Sequence, residues 1–174
     1  MLPIFKYHPN PIDTGAVKPS SATCECCNQK RKYIYTASIY CRDEIEHVCP
    51  WCIADGSAAE KFEGMFSDDY PLIDDGIAPT IIKEVTCRTP GFSSWQQEVW
   101  LTCCDDACEF HGDASKATVN GLTLEQFQGA FEDDSLDQKY FEEFKSHYQP
   151  AGNPAIYHWT VSYTHLTLPT LLRV

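Results

Sequence analysis

The chain has 174 residues, 43% hydrophobic, 13% aromatic and 22% charged, a balance that predicts one compact folded unit with a packed core and counts against wholesale disorder. Its net charge of -12, from 25 acidic against 13 basic residues, argues against binding nucleic acid or anionic lipid, both of which need clustered Lys and Arg; a protein partner with a basic or neutral surface fits better. No run approaches the roughly 20 apolar residues of a membrane helix, and the start MLPIFKYHPN lacks the basic region and apolar run of a signal peptide, so a cytoplasmic location is expected.

Residues 1–22 carry four prolines and read as an extended arm, with Phe5 and Tyr7 available to pack. Tyr33 to Thr36 and Ser38 to Tyr40 are β-prone and close enough for a hairpin. Ser57 and Glu60 have capping-box spacing, which predicts a short helix through Phe62, and SDDYPLIDDGIAP reads as a loop. Ile81 to Cys87 and Trp95 to Thr102 are expected as strands on either side of an RTPGF turn. Thr123 with Gln126, and Ser135 with Gln138, each open a predicted helix, the second with Leu136, Tyr140, Phe141, Phe144 and Tyr148 as a core-facing stripe.

Together these predict an α+β chain with a zinc-ribbon or treble-clef-like N-terminal lobe, a small antiparallel sheet and two C-terminal helices. Residues 1–66 form the arm and lobe, and 67–160 pack with them as one unit. The segment 161–174 is set apart: VSYTHLTLPT is the translation of GTC TCT TAT ACA CAT CTG ACG CTG CCG ACG, which looks like a transposase-derived sequencing adapter in an open frame. The competing reading is a native C-terminal strand, since THLTL alternates.

The ten cysteines carry most of the chemistry. In a reducing compartment, close pairs read first as metal ligands rather than disulfides. Cys24-Glu25-Cys26-Cys27 and Cys49-Pro50-Trp51-Cys52 are two Cys-x-x-Cys turns separated by 21 residues. Each such turn aims two thiolates at one point, and two of them supply the four soft ligands of a tetrahedral structural zinc ion, with Cys24, Cys27, Cys49 and Cys52 as the set. Cys26 is an alternative donor in the first turn. The rival reading makes Cys49-Pro50-Trp51-Cys52 a redox dithiol, which would want a thioredoxin-like strand before it, and EIEHV is too charged for one.

A later run, Cys103-Cys104-Asp105-Asp106-Ala107-Cys108-Glu109-Phe110-His111, places thiols at i and i+4 and an imidazole three further on. Cys104, Cys108 and His111, with Cys87 as a fourth donor, make a candidate second metal set, against the simpler reading of cysteines packed as small hydrophobes. Cys41 and Cys103 read as ordinary thiols. Arg88 beside the TPGF turn suggests a pocket rim or, more simply, an ion pair with a nearby acid. No Ser/His/Asp order, phosphate loop or HExxH motif is present, and the basic run Lys30, Arg31, Lys32 reads as a solvated face.

The runs FKYHPNPIDTG, CECC, YIYT, CPWCIADGSAAEKF, RTPGFSSWQQEVWL and CCDDACEFHGD, from Leu2 to about Asn120, together resemble the CbrC-like family of small bacterial proteins. That family is largely uncharacterised and is associated with colicin tolerance. The resemblance implies the cysteines of the CECC and CPWC runs as site residues, and Cys104 and Cys108 of the later run after them. Three functions follow as expectations: a zinc-stabilised, non-catalytic acidic interaction module; an acidic nucleic-acid mimic that neutralises a basic nuclease; and a thiol oxidoreductase or metal-dependent hydrolase.

Overall fold

Prolines at 3, 9, 11 and 19 keep the N-terminal arm out of helix, and in the computed structural model, which describes residues 1–94, 98–161 and the backbone of 171–173, the arm runs into the core. Phe5 and Tyr7 are buried as predicted, and so is His8, whose ring nitrogens meet Pro90 O and Thr14 Oγ1 at 2.7 Å each. The arm ends in a strand, β1 (Val17–Pro19), antiparallel to β2 (Tyr33–Tyr35) with Val17 opposite Tyr35. This corrects the predicted hairpin: Tyr40 instead bridges Met65. Only Ala37 separates the two β-prone runs, too little chain for a two-residue hairpin turn unless strand residues are given up to it.

The chain divides into two compact units, 1–109 and 110–174, so Phe66 lies within the first. After β2 come α1 (Pro50–Ala54) and α2 (Ser57–Phe62), where one helix was predicted. Gly56, at φ 81°, joins them and is the N-cap of α2, so Ser57 and Glu60 do not form the expected capping box. The predicted loop over 67–79 contains α3 (Tyr70–Asp74), because Pro71 is tolerated in a first turn and Leu72 is fully buried.

The predicted strand Ile81 to Cys87 is instead helical, within α4 (Pro79–Arg88). Its β-branched residues suggested a strand, but Pro79 opens the helix, Val85 and Thr86 turn inward, and Thr86 Oγ1 donates back to Ile82 O at 2.9 Å. Part of the second predicted strand, 95–97, lies outside the described residues; 98–101 carry no strand, and β3 (Thr102–Cys103) pairs with β4 (Asp106–Ala107). The first unit packs its core around Phe5, Ile34, Tyr35, Val48, Ile53, Ala58 and Phe66, with Cys24, Cys49 and Cys52 among them.

The second unit holds β5 (Glu109–Asp113) from its second residue on, then α5 (Lys116–Asn120), α6 (Leu124–Phe131), α7 (Gln138–His147), β6 (Tyr157–Thr160) and β7 (Leu171–Arg173). The three strands lie in the order β5-β6-β7, with β7 antiparallel to β6. The Thr123 and Gln126 capping box forms as predicted, each side chain serving the other's backbone N–H. The cap of α7 is Asp137, whose Oδ1 accepts from Tyr140 N at 2.8 Å, rather than Ser135. Phe141 and Tyr148 are buried against Phe127, while Tyr140 turns outward. Helix α5 had no signal strong enough to be predicted. Among the described residues the fold is therefore mixed α and β, with seven helices and small antiparallel sheets.

Candidate metal centre

Two turns build the site. In the first, Cys24 N donates to Gln29 O at 2.9 Å and Asn28 N to Cys24 O at 2.8 Å, with Asn28 in the left-handed region at φ 55°. The loop thus folds back on itself, closed by a bridge between Thr23 and Lys30. In the second, Cys49 is the N-cap of α1 and Pro50 begins the helix, which carries Cys52 round to the same side; Cys52 N donates to Cys49 O at 3.1 Å.

Glu25 joins the two turns. Its Oε1 accepts from Glu46 N at 2.9 Å and His47 N at 2.8 Å, and its own N–H donates to His47 O at 2.8 Å. Lys61, from α2, closes over the first turn through Glu25 O and Cys26 O at 2.6 and 2.9 Å.

The sulfurs of Cys24, Cys27, Cys49 and Cys52 consequently lie within 4.8 Å of one another. Cys49 and Cys52 are 3.5 Å apart, Cys24 and Cys52 3.9 Å, and Cys27 and Cys49 4.0 Å. Metal–sulfur bonds of about 2.3 Å at tetrahedral angles place neighbouring sulfurs about 3.8 Å apart, so these separations suit one four-coordinate ion. Cys49 N donates to Cys24 Sγ at 3.3 Å, the kind of backbone donor that stabilises a bound thiolate. The set is able to hold a metal ion, and three of its four members are buried.

Without a cation these thiols compete for their protons. Burial, chiefly, pushes Cys49 up to about 11 and Cys52 well above its usual range. Burial also opposes ionisation of Cys27, but hydrogen bonds from Gln29 N–H first, then from the thiols of Cys52 and Cys24 and from Arg31, outweigh it and bring Cys27 to about 7. A divalent cation supplies the opposite charge that lets buried thiolates coexist. The guanidinium of Arg31 lies 5.2 Å from the Trp51 ring, so one residue of the predicted solvated basic run is part of the site's rim.

Cys26 points away from the set, with its sulfur 3.5 Å from Ser57 Oγ. No strand precedes Cys49, since 43–48 carry none, so the geometry before the CPWC run differs from that wanted by the redox reading. The later set is not drawn together in the same way: among the described residues no second group of three or more donors meets the same distance limit. Cys87 is half-buried on α4, Cys104 is exposed at a turn and Cys108 is buried beyond β4, all in the first unit. His111 lies on β5 in the second unit, where Nε2 meets Thr160 Oγ1 at 2.8 Å. Arg88 follows its simpler reading, with Nε 2.9 Å from Ala54 O and 3.5 Å from Glu84.

One polar cluster had no sequence signal. Tyr7 Oη donates to Asp106 Oδ1 at 2.6 Å, and Lys6 Nζ donates to Asp106 Oδ2 at 2.8 Å and to Tyr7 Oη at 2.9 Å. These partners are about a hundred residues apart, so no local spacing announces them. Their bonds fasten the arm to β4.

Fold and site define a small mixed α/β protein with a four-cysteine cluster of metal-binding geometry. The chain belongs to the uncharacterised protein family UPF0167, whose family model matches residues 2–166, past Thr160 and into the segment read as adapter-derived. It is 49% identical over 158 residues to the UPF0167 protein PA1536 of Pseudomonas aeruginosa, covering 90% of this chain and 88% of that one. It is also 44% identical over 122 residues to the UPF0167 proteins Mb2317 of Mycobacterium bovis and MT2352 of Mycobacterium tuberculosis, covering 70% of this chain and 65% of theirs. No solved structure matches the chain. No helix among the described residues is long and apolar enough to cross a membrane.

Proposed function

We propose that Cys24, Cys27, Cys49 and Cys52 hold one structural zinc ion, and that the lobe built around it is a non-catalytic interaction module. The observation that carries the zinc reading is the convergence of four sulfurs at tetrahedral spacing, each pair delivered by its own Cys-x-x-Cys turn. Thiolate-only tetrahedral sites select zinc or iron, and four protein ligands leave no open position for a substrate or a reactive water. A turn followed by a second pair at a helix start also supports the treble-clef-like description of the lobe. Zinc here would supply charge and a cross-link, not chemistry.

The acidic composition supports a partner with a basic surface, met in the cytoplasm where cysteine thiols stay reduced. The association with colicin tolerance comes with the CbrC resemblance alone. Metal analysis of protein purified without added metal tests the central reading. About one zinc per chain is expected, with colourless protein. Protein that carries no metal and folds unchanged in a strong chelator overturns the structural ion, and a coloured iron-loaded site overturns zinc.

A further inference from the structure

Cys103 and Cys104 stand outside the four-cysteine set, at the tip of the β3–β4 hairpin. The register pairs Thr102 with Ala107 and Cys103 with Asp106, which leaves Cys104-Asp105 as a two-residue turn. Both turn residues have positive φ, 58° and 62°. Hairpin turns of this kind ordinarily use Asn-Gly or Asp-Gly, because a Cβ is crowded in the left-handed region, so this tip is locally strained.

The strain has a chemical result. Successive side chains of a strand point to opposite faces, so two adjacent cysteines in regular strand would present their thiols away from each other. The left-handed step at Cys104 brings the second thiol back, and the two sulfurs lie 3.0 Å apart. Cys104 is exposed and Cys103 is half-buried, whereas Cys108, the third sulfur of the hairpin, is fully buried. An external reagent therefore meets Cys104 first and finds Cys103 directly behind it.

We propose that Cys103 and Cys104 form a reversible redox site that takes a low-molecular-weight disulfide, RSSR, and closes to an intramolecular bridge. The Cys104 thiolate attacks one sulfur of RSSR, giving the mixed disulfide Cys104–S–S–R and releasing RS⁻, which takes up the proton that Cys104 lost. The Cys103 thiolate then attacks Sγ of Cys104, the Cys103–Cys104 bond forms, and the second RS⁻ leaves with the proton from Cys103. Two electrons pass from the two protein thiols to RSSR, which ends as two RSH. Exposed attacker and adjacent resolving thiol is the arrangement that thiol redox sites use.

Neighbouring Cα atoms across a trans peptide are about 3.8 Å apart, less than the roughly 4.4–6.8 Å that a relaxed disulfide spans. The bridge is consequently strained and readily reduced, which makes the site reversible rather than a permanent staple.

The test uses the full chain, reduced, freed of reductant and exposed to glutathione disulfide, then alkylated under unfolding conditions and digested with trypsin. The peptide Thr89 to Lys116 holds Cys103, Cys104 and Cys108. It is expected to lose two hydrogens, to carry a single alkyl label on Cys108, and to regain all three labels after treatment with excess reduced glutathione. Cys103→Ser should stop the sequence at a stable glutathione mixed disulfide on Cys104, and Cys104→Ser should abolish bridging. A wild-type peptide with three labels, a persistent mixed disulfide on wild-type Cys104, or a bridge that includes Cys108 would each overturn the proposal.

Discussion

Replacing Cys24 by serine tests the metal centre most directly. The lobe has little else to stand on locally: α1 and α2 are five and six residues long, and β1 and β2 three each. Isolated helices shorter than about 12 residues and lone two-stranded pairings are marginal in water. Cys24 is fully buried, its sulfur 3.9 Å from that of Cys52 and accepting from Cys49 N. Serine presents a hard neutral oxygen there, which leaves only three thiolates for the ion.

Structural zinc contributes about 10–16 kcal/mol in small zinc peptides, against about 5–15 kcal/mol for the net stability of a whole domain. Losing even about 4 kcal/mol lowers the melting temperature of a unit of this size by about 15 °C. Cys26→Ser is the matched control, because the Cys26 sulfur lies outside the set beside Ser57. Elemental analysis and thermal melts of both variants, with and without chelator, are the measurements. Cys24→Ser should lose its zinc and melt early, whereas Cys26→Ser should keep one equivalent and melt within a few degrees of wild type. A Cys24→Ser protein with full zinc and an unchanged melt, or a Cys26→Ser protein that loses its metal, refutes the assignment.

Further outcomes follow from the packing. Gly91→Ala would place a Cβ 1.9 Å from Phe66 O and 2.9 Å from the Tyr35 hydroxyl, with backbone that cannot yield cheaply, so denaturant titration should show a loss beyond the usual range of about 0.5–3 kcal/mol for a single substitution. Thr123→Ala removes the capping-box oxygen of α6 and should cost about 1 kcal/mol in the same assay. Asp106 is penalised by burial, but hydrogen bonds from Lys6, Tyr7 and Ala107 N–H outweigh that and hold its carboxyl below the usual carboxylate range. A depressed folded pKa means that its contribution is complete above about pH 4 and disappears as pH falls through the folded value. The stability gap between wild type and Asp106→Asn should therefore be constant from pH 7 to 5 and close in stronger acid; a gap that widens on acidification contradicts the network.

The sequence alone marked the four cysteines that converge, because a Cys-x-x-Cys turn positions its two sulfurs by local geometry and needs no knowledge of the rest of the chain. The α6 capping box and the buried aromatics at 141 and 148 were legible for the same reason, being set by spacings of three or four residues. Local signals failed where tertiary packing chose the partner. The β-prone run at Tyr33 pairs with the proline-rich arm, and Ile81 to Cys87 is helical because the burial of Val85 and Thr86 and the start at Pro79 override β-branched propensity.

Long-range contacts settled the rest. Tyr7 and Asp106 meet across about a hundred residues, and the i, i+4 thiols of the later run never shared a helix, since a hairpin with a left-handed turn occupies 102–107. Spacing had suggested Cys104 with Cys108 and His111; the fold instead sets it beside Cys103. Sequence fixes what one turn of backbone can reach, and only the folded chain decides which distant surfaces share the remaining apolar contacts and buried hydrogen bonds.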